Sequence, residues 1–262
     1  MTAPSSEQST MGILEHLREL RRRLLFVVIS VFIGACGSYY YADIIFNWLC
    51  APYFEGFGDS VLIGTSPAEA WILKVKVSLF MGAVIMSPFI FMQAWLFIAP
   101  ALYRTEKLLA IPFVLSSSLL FLGGSLFCYH QVLPLSFQFF YEQFQSIGVT
   151  PTIKIGDHVS LTLLCILGFG AIFQLPVATF ILARMGLIDH TFLIHWFRHA
   201  VLIIFILAAI ITPPDVITQF LMAGPLLILY AISIIIARYS YKQLPDRADT
   251  SSEDIQQDLS LR

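Results

Sequence analysis

The sequence contains few charged residues and few cysteines. Charged residues make up 12% of the 262 positions and hydrophobic residues 58%, whereas a soluble globular domain carries about 25% charged residues. This composition excludes an ordinary soluble domain. Four cysteines are present, and Cys36, Cys128 and Cys165 lie within apolar stretches, which favours small packing residues over a disulfide framework.

Signatures of common catalytic sites are absent as well. The sequence contains no GxxxxGKS/T phosphate loop, no HExxH or GxSxG motif and no dinucleotide-binding fingerprint. His195 and His199 are four residues apart and His190 is nearby, but no carboxylate or thiolate completes a zinc site. We therefore expect no metal, no other cofactor, no nucleic-acid partner and no enzymatic activity.

Long apolar stretches dominate what is present. A bilayer core about 30 Å thick requires about 20 apolar residues for one helical crossing. Several windows reach that length, and we predict six membrane spans at 24–41, 71–98, 108–137, 159–183, 200–211 and 216–237. The expected fold is therefore an all-α integral membrane protein with six transmembrane helices.

The basic residues indicate the orientation of these spans. Twelve of the fifteen Lys and Arg residues lie in the N-terminal arm, in alternate connections and in the C-terminal tail, whereas the other connections hold only Lys74, Lys76 and Lys154. Because Lys and Arg are retained on the cytoplasmic side, both termini are predicted to be cytoplasmic. We divide the chain into an amphipathic arm (1–23), a transmembrane domain (24–237) and a tail that we predict to be disordered (238–262).

The fifth and sixth spans form a short hairpin. The stretch 200–211 would cover about 18 Å as a helix, less than the hydrocarbon thickness. It ends at Pro213 and Pro214, which cannot continue a helix, and Asp215 is placed to cap the sixth helix.

Two further helix starts are predicted on the outer side. Ser66-Pro67-Ala68-Glu69 has the pattern of a capping box with proline at the first helical position. Glu69 is therefore expected to be a structural partner of Ser66. Asp157 is expected to cap the fourth span in the same way.

The amphipathic arm offers the first candidate binding group. Glu19 could simply pair with Arg22 or Arg23 along its own helix, an exposed interaction worth less than about 1 kcal/mol. Alternatively, Glu19 and Glu106 of the second cytoplasmic connection could form an acidic spot on a basic surface. Such a spot would select a guanidinium, which bonds a carboxylate bidentately where an ammonium does not.

Polar residues within the spans form a second candidate group. Gln174 precedes Pro176, which frees the carbonyl of Ile172 and bends the helix. The Gln174 amide could serve a function at that depth, or it could satisfy the freed backbone. Thr218 and Gln219 on the sixth span could face a partner helix for the same reason.

Several motifs together resemble the TatC family, the multispanning subunit of the twin-arginine protein translocase. The resemblance covers residues 11–240 in the right order and spacing. It implies a concave bundle with short fifth and sixth helices in a bacterial cytoplasmic (inner) membrane. The motifs are His16 to Leu24, Ser66-Pro67 with Glu69, Phe97 to Glu106, Phe173-Gln174-Leu175-Pro176, Gly186, and Thr212-Pro213-Pro214-Asp215 with Pro225.

The resemblance also implies a function and partners. The family is a receptor for signal peptides that carry paired arginines, and residues matching Glu19 and Glu106 contact those arginines beside Arg21 and Phe97. TatA-like and TatB-like single-span subunits would pack near the fifth and sixth spans, within an oligomeric complex that exports folded proteins using the proton motive force.

The sequence departs from the family pattern at two positions. Gln174 stands where the family often has Glu, and Leu229-Tyr230-Ala231 stands where the family often has Leu-Tyr-Glu. A Gln174 amide does not titrate, so a proton-carrying role is not expected there. Neither departure touches the predicted signal-peptide site.

The sequence supports two other function classes less well. A secondary transporter or channel for a small solute would suit a multispanning chain, but the sequence shows no inverted repeat and few charges within its spans. An intramembrane enzyme lacks a nucleophile with a neighbouring base.

Overall fold

The protein is built from membrane-length helices. Its computed structural model describes residues 6–58, 61–98, 110–211 and 216–240. Within these ranges the chain forms eleven α-helices and one short parallel strand pair, β1 (Leu62–Ile63) with β2 (Ile153–Lys154). The helices are α1 (Ser6–Tyr39), α2 (Ala42–Phe57), α3 (Glu69–Ile85), α4 (Ser87–Ile98), α5 (Ala110–Phe127), α6 (Leu133–Ser146), α7 (Ile155–Ile172), α8 (Leu175–Arg184), α9 (His190–His195), α10 (Phe197–Ile211) and α11 (Val216–Ser240).

These helices lie over the six predicted spans. Three segments of the described chain are long and apolar enough to cross a membrane alone: α5 with α6, α7 with α8, and α11. Two further pairs qualify only together, because α1 and α2 meet at 91° and α3 and α4 at 58°. The short apolar helix α10 supplies the remaining stretch.

Proline explains two of the interruptions. Pro88 has no N–H to donate to the carbonyl of Val84, and the second span bends between Met86 and Ser87. Pro176 interrupts the fourth span, where α7 ends at Ile172 and α8 begins at Leu175, although 155–184 still forms one membrane-length segment. An interruption at Pro176 is as the sequence predicts, whereas the bend at Pro88 is not among the predictions.

Helix α2 packs against the outer half of the bundle. The Tyr129 hydroxyl donates a hydrogen bond to the Trp48 carbonyl at 2.7 Å, and the two rings stack with centroids 3.9 Å apart. Phe57 is 1% exposed and lies edge-on to Phe137 of α6. Much of the first outer connection is therefore an ordered helix that belongs to the hydrophobic core.

Glycine permits the close crossing of α1 and α3. A Cβ atom on Gly82 would lie 2.5 Å from the Ala35 nitrogen and 2.7 Å from the Val31 oxygen. Opposite it, a Cβ on Gly34 would lie 2.9 Å from the Gly82 oxygen. Any larger residue would push the two helices apart, so these glycines set the position of α1 on the bundle.

The predicted outer caps are only partly correct. Asp157 lies in the first turn of α7, whose N-cap is Lys154 without a side-chain hydrogen bond, so the prediction that Asp157 caps this helix is wrong. Helix α3 begins at Glu69 after Ala68, and Ser66 contributes its backbone N–H and carbonyl rather than a capping hydroxyl. The backbone is extended at Lys154 (ψ 127°) and becomes helical at Ile155, so the helix starts two residues before Asp157.

Candidate functional site

The amphipathic arm continues without a break into the first span as helix α1. At its predicted cytoplasmic end, the imidazole of His16 stacks on the ring of Phe97, the penultimate residue of α4, with centroids 4.4 Å apart. This contact joins the arm to the end of the second span. Phe97 therefore lies against the arm, and its role in binding a signal peptide stays a prediction.

Glu19 is engaged by a guanidinium of its own helix. Its Oε1 accepts hydrogen bonds from Arg23 Nε at 3.0 Å and from Arg23 Nη2. The Arg23 Nη1 group in turn lies 3.5 Å from Gln93 Oε1 on α4. The side chains of Arg23 and Glu19 are 22% and 33% exposed, so the pair is accessible from solvent.

An open groove, which we call the arm groove, borders this pair. It has a volume of about 570 Å³ and lies between the N-terminal part of α1 and the face of α4 that carries Gln93 and Leu96. Its charged lining residues are two carboxylates and three guanidinium groups: Glu15, Arg18, Glu19, Arg22 and Arg23. The carboxylate of Glu19 thus shares the groove with three guanidinium groups and is hydrogen-bonded to one of them, that of Arg23.

Two other residues predicted for the cytoplasmic site, Arg21 and Glu106, are not among the described residues that line this groove. Arg21 is exposed and follows Glu19 by two residues, which places it about 200° around the helix from Glu19. Glu106 lies outside the described residues. The proposed pairing of Glu19 with Glu106 therefore stays a prediction.

Gln174 forms a bond between two helices. Its Nε2 donates to the carbonyl of Ser117 on α5 at 3.0 Å. Its partner is thus a neighbouring helix and not the Ile172 carbonyl that Pro176 frees. This hydrogen bond connects α5 to the segment between α7 and α8.

A second, apolar groove connects Gln174 with the arm. We call it the inner groove; it has a volume of about 450 Å³. It brings together Phe97 and Gln174, two residues that the sequence analysis placed in different groups. Its lining includes His16, Phe97, Phe113, Gln174, Ile181 and Met185.

The polar residues of the sixth span belong to the hairpin. Gln219 Nε2 donates to the Phe205 carbonyl of α10 at 2.9 Å, and Thr218 is 1% exposed. Within the described chain these two residues face the fifth span and the core. Pro213, Pro214 and Asp215 lie outside the described residues.

Glu69 ties two outer connections together. Its Oε2 accepts from the Thr65 N–H at 2.6 Å and from the Ser66 N–H at 3.3 Å, and its Oε1 accepts from the Gly156 N–H at 3.1 Å. Hydrogen bonds to the ionised form, above all that from the Thr65 backbone, lower the pKa of the Glu69 carboxyl. The structural role predicted for Glu69 thus extends beyond its own helix start.

Two contacts at the arm escaped the sequence analysis. Gln93 is 8% exposed within an apolar span, and a polar residue at that position could have indicated a partner such as Arg23. His16 gave no comparable signal, because its stacking on Phe97 depends on how two distant segments cross.

Comparison with known proteins agrees with these motifs. The family model of the Sec-independent protein translocase protein TatC matches residues 15–225. This chain belongs to the TatC family. The TatC protein of Aquifex aeolicus is 39% identical over 234 residues, which cover 89% of this chain and 97% of that protein. The TatC protein of Helicobacter pylori strain J99 is 41% identical over 223 residues, covering 85% and 87%.

Solved TatC structures share the fold. A crystal structure of the twin-arginine translocase receptor TatC superposes with a TM-score of 0.77 at 40% identity, covering 85% of this chain and 97% of that chain. A second crystal structure, in DDM, gives a TM-score of 0.79. The predicted all-α membrane fold with six transmembrane helices is confirmed, and the chain is a multispanning subunit of a Sec-independent protein translocase.

Proposed function

We propose that this TatC-family chain is the receptor that binds paired-arginine signal peptides on the cytoplasmic face of the bacterial inner membrane. One observation carries the proposal: Glu19 already accepts two N–H groups of a guanidinium at an open groove. A carboxylate that holds Arg23 in this way has the geometry to hold an arginine of an incoming peptide. Glu106 would provide the second carboxylate.

We further propose that the inner groove binds the apolar segment of the signal peptide. Signal peptides follow their charged segment with an apolar segment of about 7–15 residues. The inner groove follows α8 from Gln174 to Met185, which is about 16 Å of helix. It starts at His16 and Phe97, beside the arm, so arginines at Glu19 and an apolar segment in this groove would be continuous.

Assembly and energy supply complete the proposal. TatA-like and TatB-like single-span subunits would pack near α10 and α11, and several copies of this chain would share one complex. The proton motive force would drive the export of folded proteins, and the chain itself would carry out no catalysis.

Photo-crosslinking in membrane vesicles tests the receptor site. A crosslinker beside the paired arginines of a signal peptide should label the wild-type chain, and the Glu19→Ala, Glu106→Ala double variant should lose the label while still inserting in the membrane. Glu15→Ala is the matched control, because Glu15 lines the same arm groove. Undiminished labelling of the double variant would refute the assigned site.

A further inference from the structure

A third groove lies on the other side of Phe113 and Val177 from the inner groove. It lies between α5, α8 and α11, has a volume of about 500 Å³, and we call it the three-helix groove. Along α5 it extends from Pro112 to Leu120, about 12 Å of helix. Half of a bilayer core is about 15 Å thick, so the groove matches one leaflet.

The position of the groove selects the cytoplasmic leaflet. Its residues come from the beginning of the third span and the ends of the fourth and sixth spans, and all three of these ends are predicted to be cytoplasmic. Ile235 is 57% exposed and Tyr239 is 84% exposed. In a membrane these side chains would face lipid.

The groove walls suit a hydrocarbon chain. Pro112 and Pro176 line it and have no N–H group to satisfy. The hydroxyl of Ser116 donates to the Phe113 carbonyl of its own helix at 3.0 Å. An acyl chain would therefore not strand a polar group by covering these residues.

Cationic side chains mark the headgroup end. Arg184 is the last residue of α8, and its guanidinium carbon lies 5.4 Å from the ring centroid of Phe180, a lining residue. Arg184 Nε is buried and has no hydrogen-bond partner in the described part of the chain, so the terminal Nη groups are the ones left to meet a phosphate. Arg238 lies in the last turn of α11, next to Tyr239. Both helices that flank this end of the groove thus carry an arginine at the interface.

We propose that the three-helix groove binds one anionic phospholipid of the cytoplasmic leaflet. An acyl chain occupies the apolar groove, and the phosphate is held by the Nη groups of Arg184, since guanidinium groups bond phosphate oxygens bidentately. Arg238 adds positive charge at the same end of α11. A transmembrane helix fits less well. With a diameter of about 10–12 Å, 12 Å of helix fills about 940–1,360 Å³, and the groove offers about 500 Å³.

Trp95 provides an internal reporter for this site. Its ring centroid lies 4.7 Å from that of Phe113, which lines the groove. The test uses the full chain with its other tryptophans (Trp48, Trp71 and Trp196) replaced by Phe, in phosphatidylcholine vesicles. Brominated phosphatidylglycerol should quench Trp95 more strongly than brominated phosphatidylcholine at the same mole fraction.

The charge requirement is tested by matched arginine variants. An interfacial cation near anionic lipid is worth about a factor of five in affinity, so Arg184→Gln should reduce the preference for phosphatidylglycerol about fivefold. Arg184→Lys keeps the charge but loses the bidentate geometry, so it should retain more of the preference than Arg184→Gln. The control Arg198→Gln removes the same charge from α10, away from the groove, and should leave the preference unchanged.

Two results would overturn the proposal. One is equal quenching by the two lipids in the wild-type background; the other is an unaltered preference in Arg184→Gln. If Arg184→Gln does not fold, the variant Ser116→Phe provides an independent test. The larger side chain would fill the groove, so Ser116→Phe should lower quenching of Trp95 by both lipids. Unchanged quenching in Ser116→Phe would place the acyl chain elsewhere.

Discussion

The imidazole of His16 lies nearly flat against the ring of Phe97, with centroids 4.4 Å apart and planes inclined by 18°. Together with the contact between Arg23 and Gln93, this stack holds the arm of α1 beside the end of α4. One turn further along α1, Glu19 holds Arg23, whose Nη1 lies 3.5 Å from Gln93 Oε1 on α4.

Replacing Phe97 with Ala should loosen the arm. The stacked pair is worth about 0.5–1.5 kcal/mol beyond the area that it buries, so Phe97→Ala should weaken signal-peptide binding while Phe97→Tyr retains it. Spin labels at Leu17 and Met92, both exposed, with Cys36 replaced by Ser, would report the separation of α1 and α4. An equally narrow distance distribution in Phe97→Ala would show that the stack does not hold the arm.

Arg23 should compete with the incoming arginine for Glu19. Because an exposed ion pair is worth about 0.2–1 kcal/mol, Arg23→Gln should raise the affinity for a paired-arginine peptide by up to about fivefold. Arg22→Gln is the control: it removes the same charge from the same groove, but Arg22 lies over the Phe26 ring, 5.7 Å from its centroid. Equal affinity gains in both variants would mean that only the overall charge matters.

The hydrogen bonds that the Glu69 carboxylate accepts from Thr65, Ser66 and Gly156 should persist at mildly acidic pH. Its folded-state pKa is lowered, so the bonds that it accepts are present above the ordinary Glu pKa of about 4.3 and are lost as the pH falls through the lower folded value. Amide exchange at Thr65, Ser66 and Gly156, corrected for its intrinsic pH dependence, should therefore stay slow at pH 5 and accelerate below pH 4.

Glu69→Gln tests the hydrogen bond between Glu69 and Gly156 separately from the overall stability of the protein. Glu69→Gln should speed exchange at the Gly156 amide even at neutral pH, because a neutral amide oxygen accepts more weakly and the side chain keeps a single oxygen. Glu142→Gln on the exposed face of α6 is the control, since Glu142 accepts only from Gln138 of its own helix in the described chain. Unchanged Gly156 protection in Glu69→Gln would remove the assigned role.

Gln174 should contribute modestly, as one bond between helices. Gln174→Met keeps the volume and removes the donor to Ser117, so it should lower the free energy of unfolding by about 0.6 kcal/mol and leave binding of the paired arginines at Glu19 nearly intact. Gln138→Met, exposed on α6, is a matched control and should have a smaller effect. Complete loss of export in Gln174→Met would indicate a role beyond this bond.

The spans were accessible from the sequence because they depend on local composition. Apolar length and the placement of Lys and Arg are properties of short windows, and the bend at Pro176 follows from a missing N–H. The same local reasoning should also have found the bend at Pro88. Pro88 lies deep inside the window 71–98, whose mostly apolar composition by itself indicates one continuous span.

The site depended on contacts that local patterns do not encode. Whether Glu19 pairs with Arg22 or Arg23 is decided by the crossing of α1 and α4, where Gln93 lies beside Arg23. The bond between Glu69 and Gly156 requires two outer connections, brought together by β1 and β2. The Gln174 bond to Ser117 likewise joins residues 57 positions apart.

The central claim is that Glu19 and Glu106 each bind one arginine of the signal peptide. A double-mutant cycle tests it most directly: peptide affinity is measured for the wild-type chain, Glu19→Gln and Glu106→Gln, each with peptides in which one arginine is replaced by glutamine. The account predicts that each carboxylate couples to one arginine by about 1.5–3 kcal/mol and only weakly to the other. Strictly additive losses in every combination would contradict it.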